Sequence, residues 1–277
     1  MIEADLVTMT DNDKIKKIKK FFFENAHKSR IGHLPSALSC LEILYTLYNK
    51  VANITKQNKG DINRDRVILS KEHARFGQVC TLFECGLVEK KVVDTYLQDG
   101  GLCGHDMYNI VGSEKISAID ISCGSLGHGL GVGAGIAFAD KTHNVYIVVG
   151  DGELQEGSCW EALMFIGHLQ LKNIVVIVDR NNQQIDNLTK NIINTHKFCP
   201  NAIKAFDFNV IECNGHSVVE LEQAIKLKSE RPKCVIANTI KGKEIYKNLS
   251  KYNFATYHWG CTTDDELEQA IGEVDNG

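Results

Sequence analysis

Gly150-Asp151-Gly152 and, one strand further along, Asn181-Asn182 carry the residue types that grip a hard divalent cation. A carboxylate, an amide oxygen and nearby backbone carbonyls make an all-oxygen set. Mg²⁺ completes its octahedron from such sets with waters and substrate phosphates. Ahead of the first motif, Val145-Tyr146-Ile147-Val148-Val149 is a continuous apolar run, the pattern of a strand buried on both faces. After it, residues 158–170 place Trp160, Leu163, Met164, Ile166 and Gly167 near helical spacing, and Ile174-Val175-Val176-Ile177-Val178 is a second buried strand. Strand, helix and strand in that length form one parallel crossover. Asp151 and Asn181 then leave the carboxyl ends of neighbouring strands, where open α/β sheets bind ligands. Taken alone, both motifs also read as turns.

The elements that would position them alternate along the chain. Helices are expected at 13–28 and 36–50, a strand at 66–70, helices at 74–86 and 89–98, and a strand at 116–122. Then come helix 126–140, strand 144–149, helix 158–170, strand 173–179, strand 208–213, helix 217–229, strand 234–240 and a last helix at 264–272. This order implies an α/β fold: a doubly wound, mostly parallel sheet with helices on both faces. Residues 1–12 are polar and read as a loose segment before one domain over 13–277. The stretch 181–206 reads as long and irregular, more often functional than incidental. His73, Gly124, Asp151, Asn181 and Lys241 each follow an expected strand, so the candidate chemistry gathers on one edge of the sheet.

With 277 residues, 43% of them hydrophobic, the chain can bury a large core. A net charge of −4 and the lack of a basic, aromatic-laced stripe argue against nucleic acid as a partner. Lys14-Ile15-Lys16-Lys17-Ile18-Lys19-Lys20 alternates at helical spacing and reads as a solvated helix face. No membrane-length apolar run and no export signal are visible. The ten cysteines form no Cys-x-x-Cys pair and read as reduced, buried residues of a cytoplasmic protein.

Gly124-Ser125-Leu126-Gly127-His128-Gly129-Leu130-Gly131 opens a glycine-rich helix, where backbone can approach a ligand or a neighbouring strand. Gly129 to Ala134 also fits a dinucleotide fingerprint, with Asp151 at the next strand end. That reading puts its first glycine inside the helix and leaves Asn181 and the histidines unexplained.

The segment GDGELQEGSCWEALMFIGHLQLKNIVVIVDRNNQQID resembles the thiamine diphosphate signature of the transketolase family. The likeness extends from about residue 13 to the terminus, whose Cys261–Glu268 resembles the amino-terminal subunits of split transketolases. It implies thiamine diphosphate with Mg²⁺, or Ca²⁺ or Mn²⁺, held by Asp151, Asn181 and the Gln183 carbonyl; Asn182 is an alternative ligand. It implies cofactor contacts from His73, Gly124, Ser125, Leu126, Gly150, Gly152, Glu153 and Lys241. His33 and His258 would touch substrate oxygens, and His73 and His105 would lie near the reactive carbon and the phosphates. Glu156 and Glu161 would line a carboxylate relay between paired sites. His143, His168 and His196 match nothing and read as structural, and His216 reads as part of a helix start capped by Ser217.

The family's pyrimidine-binding domain, with its glutamate, has no counterpart here. The resemblance therefore implies half of a two-chain enzyme, with a second subunit completing a heterotetramer that acts on sugars or sugar phosphates. The alternatives are one chain of a 2-oxoacid decarboxylase or dehydrogenase, and a non-catalytic partner retaining the fold. Pro35, Ser36, Glu72, Asp106 and Glu244 depart from the family pattern and are expected at the mouth of the site. Glu72 would either narrow that mouth or turn to solvent.

Overall fold

A computed structural model describes residues 9–99, 116–245 and 258–276. Five strands form one all-parallel sheet: β1 (Arg66–Leu69), β2 (Val145–Gly150), β3 (Ile174–Arg180), β4 (Asn209–Asn214) and β5 (Lys233–Asn238). Their order is β1-β2-β3-β5-β4. The two central strands β2 and β3 are buried almost throughout, as their unbroken apolar sequences require. Alternate side chains feed two cores. Tyr146, Val148, Val175 and Ile177 join the cluster under α1 (Asp11–Lys28), α3 (Leu41–Thr46) and α4 (Arg75–Glu84). Ile147, Val149, Val176 and Val178 join the cluster under α6 (His128–Ala139), α7 (Gly157–His168) and α9 (Thr195–Ala205). Helices therefore cover both faces, as expected.

Several local expectations are corrected. α1 starts at Asp11, because Thr10 and Asp13 form a reciprocal capping box. The helix expected at 36–50 is broken into α2 (Leu34–Leu38), α3 and a π turn at Leu47–Val51. At the break, the Ser39 hydroxyl reaches 2.6 Å to Asp179 on β3 and also faces the Ser36 carbonyl. Residues 116–122 are not a strand. Asp120 is buried against the two terminal guanidinium nitrogens of Arg64, the Ile121 carbonyl accepts from Arg75, and the Cys123 N–H donates to Glu72. Side chains satisfy this backbone in place of a strand neighbour. The stretch 181–206 is mostly ordered into α8 (Thr189–Ile192) and α9.

Candidate functional site

The carboxyl ends of the strands open into a cleft of about 330 Å³. His33, His73, Leu126, Gly150, Asp151 and Gly152 line it, joined by Glu153, Glu156, Asn181, Gln183, Lys241 and His258. The sequence motifs point to all twelve. Gly124 and Ser125 are exposed and do not line it, and Glu161 is exposed on α7 beyond it. His105 and Asp106 lie outside the described residues.

Asp151 follows β2 and is only 2% exposed. Its Oδ2 accepts from the Asn182 N–H at 3.0 Å, the Thr189 hydroxyl at 3.0 Å and His196 Nε2 at 2.7 Å. Among the described residues its Oδ1 accepts only the Gly152 N–H, at 3.0 Å. His196, expected to be structural, instead touches the central carboxylate of the site. Asn181 is buried, and its amide nitrogen donates to Ser39 and Asp179, which fixes the orientation of its oxygen. Asn182 is exposed in a left-handed conformation, φ 67°, and does not line the cleft. Of the two asparagines, Asn181 is the one that faces the cleft.

Beneath Asn181, Asp179 gathers Lys71, Ser39 and Thr239. Burial opposes its ionisation, but Lys71 and the surrounding donors outweigh that and hold its carboxyl below the usual range. The same pairing keeps Lys71 charged despite complete burial. Neither Lys71 nor Asp179 stands out in the sequence. A lysine two residues past one strand and an aspartate near the end of another carry no local sign that they meet.

Glu153 is a staple. Its carboxylate accepts the Gly127 and Gly150 N–H groups at 2.8 and 3.0 Å and the Ser70 hydroxyl. Burial raises its carboxyl above the ordinary value. It thereby ties the glycine turn before α6 to the ends of β1 and β2. Gly127 takes φ 86°, and a Cβ there would overlap Ser158 and Glu156. The glycines of the dinucleotide alternative, from Gly129 on, lie inside α6, which sets that reading aside.

Three imidazoles converge on the other wall. His33, His73 and His258 have ring centroids 5.0–5.6 Å apart. Burial, then Lys71 and the other two rings, draws His73 well below the ordinary histidine value. Burial and neighbouring Lys241 draw His258 down to about 3. Both rings are therefore neutral at pH 7 and able to donate to or accept from uncharged oxygens. Lys241 Nζ sits 2.8 Å from His258 Nδ1, and burial with nearby Lys71 lowers it to about 7. Trp259 stacks edge-on against His33 at 4.2 Å. Its carbonyl crosses so close above Gly32 that any side chain there would overlap it.

Two departures are placed away from the mouth. Glu72 is 3% exposed and pairs with Arg75 at 2.6 Å, while also accepting from Ser122 and the Cys123 N–H. It neither faces solvent nor narrows the cleft; it holds residues 121–123. Glu244 pairs with Lys19, which also meets Glu42 at 2.6 Å, in a separate buried cluster. His216 lies 3.2 Å from Glu42 and accepts the Ile240 N–H, beside the Ser217 cap of α10 (Val218–Lys226).

Among the described residues, no three His, Cys, Asp or Glu side chains form a metal-binding group. Asp151 and Asn181 bring a carboxylate and an amide to the cleft, beside Gln183 and with Lys241 on the same lining. That set suits a hard cation sharing its shell with a diphosphate.

Known proteins resemble this chain in family and in fold. Residues 10–271 match the family described as transketolase, thiamine diphosphate binding domain. The chain is 32% identical over 267 residues to one of the subunits of the apulose-4-phosphate transketolase of Phocaeicola vulgatus, covering 94% of this chain and 92% of that protein. It is 34% identical over 267 residues to 6-deoxy-6-sulfo-D-fructose transketolase subunit SqwG of Clostridium sp., covering 93% of this chain and 94% of that one. Transketolase from Leishmania mexicana superposes with a TM-score of 0.78 at 22% identity, over 97% of this chain and 45% of that one. The chain thus spans under half of that solved transketolase and nearly all of the two subunits. It belongs to the transketolase family, as a thiamine diphosphate-binding domain.

Proposed function

We propose that this chain is the diphosphate-binding subunit of a two-chain transketolase, moving a two-carbon ketol unit between sugars or sugar phosphates. One observation carries the reading: the oxygen donors of Asp151, Asn181 and Gln183, the Lys241 amine and three imidazoles line a single cleft at the strand ends. Bound thiamine diphosphate supplies the carbon nucleophile and electron sink for chemistry beside a ketose carbonyl. In this reading Asp151, Asn181 and the Gln183 carbonyl hold Mg²⁺, Ca²⁺ or Mn²⁺ against the diphosphate. Leu126 gives an apolar wall, and Gly124 and Ser125 contribute backbone at the rim. His33, His73 and His258 orient substrate oxygens and carry protons, and His105 is assigned to the same chemistry from its sequence motif. The whole of 13–277 acts as one cofactor-binding domain.

The partner in this proposal is a second subunit carrying the pyrimidine-binding and C-terminal domains, assembled as a cytoplasmic heterotetramer. Relatives matched nearly end to end are themselves named as subunits. α6 and α7 also expose Val132, Phe138, Met164 and Phe165 on one side, next to Glu161. Exposed apolar groups gathered in this way favour a protein partner over water. Among the described residues no helix is long and apolar enough to cross a membrane.

The test is reconstitution. The purified chain is assayed for ketol transfer alone and after mixing with the second subunit, with Mg²⁺ and thiamine diphosphate. Activity is expected only in the mixture. Transfer by the single chain overturns the partner requirement, and a mixture that binds no thiamine diphosphate overturns the reading itself.

A further inference from the structure

We propose that His196 is a positioning residue for cation binding: it holds Oδ2 of Asp151 so that Oδ1 is the oxygen presented to the metal. The inference rests on the metal-site reading above and assigns a role to a residue outside the cleft lining.

The argument is one of lone pairs. A carboxylate has about four acceptor sites, two on each oxygen. Oδ2 of Asp151 already meets three donors, from Asn182, Thr189 and His196, whereas among the described residues Oδ1 meets one. Capacity for a cation therefore remains on Oδ1. The 2.7 Å contact to His196 is the shortest of the four, and a carboxylate acceptor puts the ring's proton on Nε2.

The scaffold behind His196 is firm. Asn194 caps α9 by accepting the Lys197 N–H, and the neighbouring Thr195 hydroxyl reaches the Asp151 carbonyl at 3.3 Å. Cys199 and Ile203 anchor the helix in the core beneath β2 and β3. The Thr189 N–H donates to the Asn182 carbonyl at 3.0 Å, closing the loop that brings the other two donors to the same oxygen. A metal-ligating carboxylate is normally oriented by partners of this kind, and losing one costs about 10–100-fold in metal affinity.

The experiment titrates Mg²⁺ into the full chain assembled with its second subunit, under saturating thiamine diphosphate, reading the apparent Kd by calorimetry. His196→Ala should weaken Mg²⁺ about 10-fold or more, and His196→Gln, which keeps an N–H donor, should recover most of that. Thr189→Val, which removes a second donor to Oδ2 and leaves α9 untouched, should weaken it too. Asp151→Asn is the reference. If it loses Mg²⁺ while His196→Ala and Thr189→Val bind normally, the positioning role fails and the metal site stands. If Asp151→Asn binds Mg²⁺ normally, the metal assignment fails first. Tighter binding in His196→Ala would make His196 a competitor of the cation and also overturn the proposal.

Discussion

Nζ of Lys241 lies 2.8 Å from Nδ1 of His258, inside the cleft. In its charged form, which burial confines to about pH 7 and below, Lys241 only donates, so Nδ1 then accepts and the ring's own proton sits on Nε2. A side chain just past β5 thus sets the tautomer of a histidine that follows it in sequence. The proton on Nε2 is then the one available to a substrate oxygen. His258→Ala should leave cofactor binding intact and slow turnover about 10²–10⁴-fold, the usual loss for a positioned proton-transfer group. Lys241→Met should leave His258 in mixed tautomers, visible in the ¹⁵N shifts of its ring. Lost cofactor binding with near-normal turnover in His258→Ala would put this ring on the wrong side of the site.

Asp151→Ala should abolish Mg²⁺-dependent thiamine diphosphate binding by the assembled enzyme. It should also lower the Tm of the isolated chain, because Thr189 and the Asn182 N–H lose a shared acceptor in a buried place. An unsatisfied buried donor costs about 1–3 kcal/mol. Calorimetry reads the first effect and thermal melting the second. Undiminished cofactor binding would remove Asp151 from the metal shell.

Glu72 pairs with Arg75, and both are almost wholly buried. Removing one partner of such a pair costs about 3–5 kcal/mol, because the other charge is left uncompensated. Glu72→Gly should therefore destabilise the chain, with Cys123 and Ser122 losing their anchor, and should not redirect substrate choice. Denaturant melts give the stability. A changed ratio of kcat/KM between two ketose phosphates, at unchanged stability, would return Glu72 to the mouth of the site.

Protonation of His258 is opposed first by burial and then by Lys241, which places its folded pKa at about 3, below the ordinary 6.5. His73 moves the same way. With a depressed folded value, the unfolded chain binds more protons between those limits, so stability falls as pH drops from about 6.5 toward 3. His258 contributes a slope approaching about 1.4 kcal/mol per pH unit within that window. His258→Asn should melt with a shallower dependence on pH than the parent between about pH 6.5 and 4. Parallel curves would mean that His258 is not buried neutral.

The central crossover was legible because β2 and β3 are buried on both faces, so their sequences are unbroken runs with motif residues at their ends. The same logic misled at 116–122. Ile116, Ala118 and Ile119 are buried there as they would be in a strand, but Asp120 is buried with them for Arg64 and Arg66. Apolar spacing cannot distinguish a strand from a loop whose backbone is satisfied by buried side chains. The cleft residues were legible because most sit in short motifs at strand exits. His196, Lys71 and Asp179 were not, because their partners come from distant elements and no spacing along the chain encodes those contacts. The one clue to His196 was its place in the stretch 181–206, whose length suggests function but whose sequence hides the helix that carries the ring.

Gly131 and Gly135 stand one turn apart on the exposed side of α6, and a Cβ on either would meet nothing among the described residues. Inside one chain these glycines only cost helix stability, up to about 1 kcal/mol each relative to alanine. Their positions make sense if another backbone approaches there, over the apolar side shared with Phe138 and Phe165, whose rings meet at 6.1 Å. The double variant Gly131→Ala with Gly135→Ala should raise the Tm of the isolated chain by a few degrees, about 2–4 °C per kcal/mol at this size. The same variant should weaken assembly with the second subunit by about tenfold or more, read by sedimentation, because a close backbone approach has no room for the added methyls. Gly167→Ala serves as the opposite control, since its Cβ would overlap the Phe206 carbonyl and must destabilise the chain alone. If the double variant is stabilised and assembles as tightly as the parent, the partner does not sit on α6.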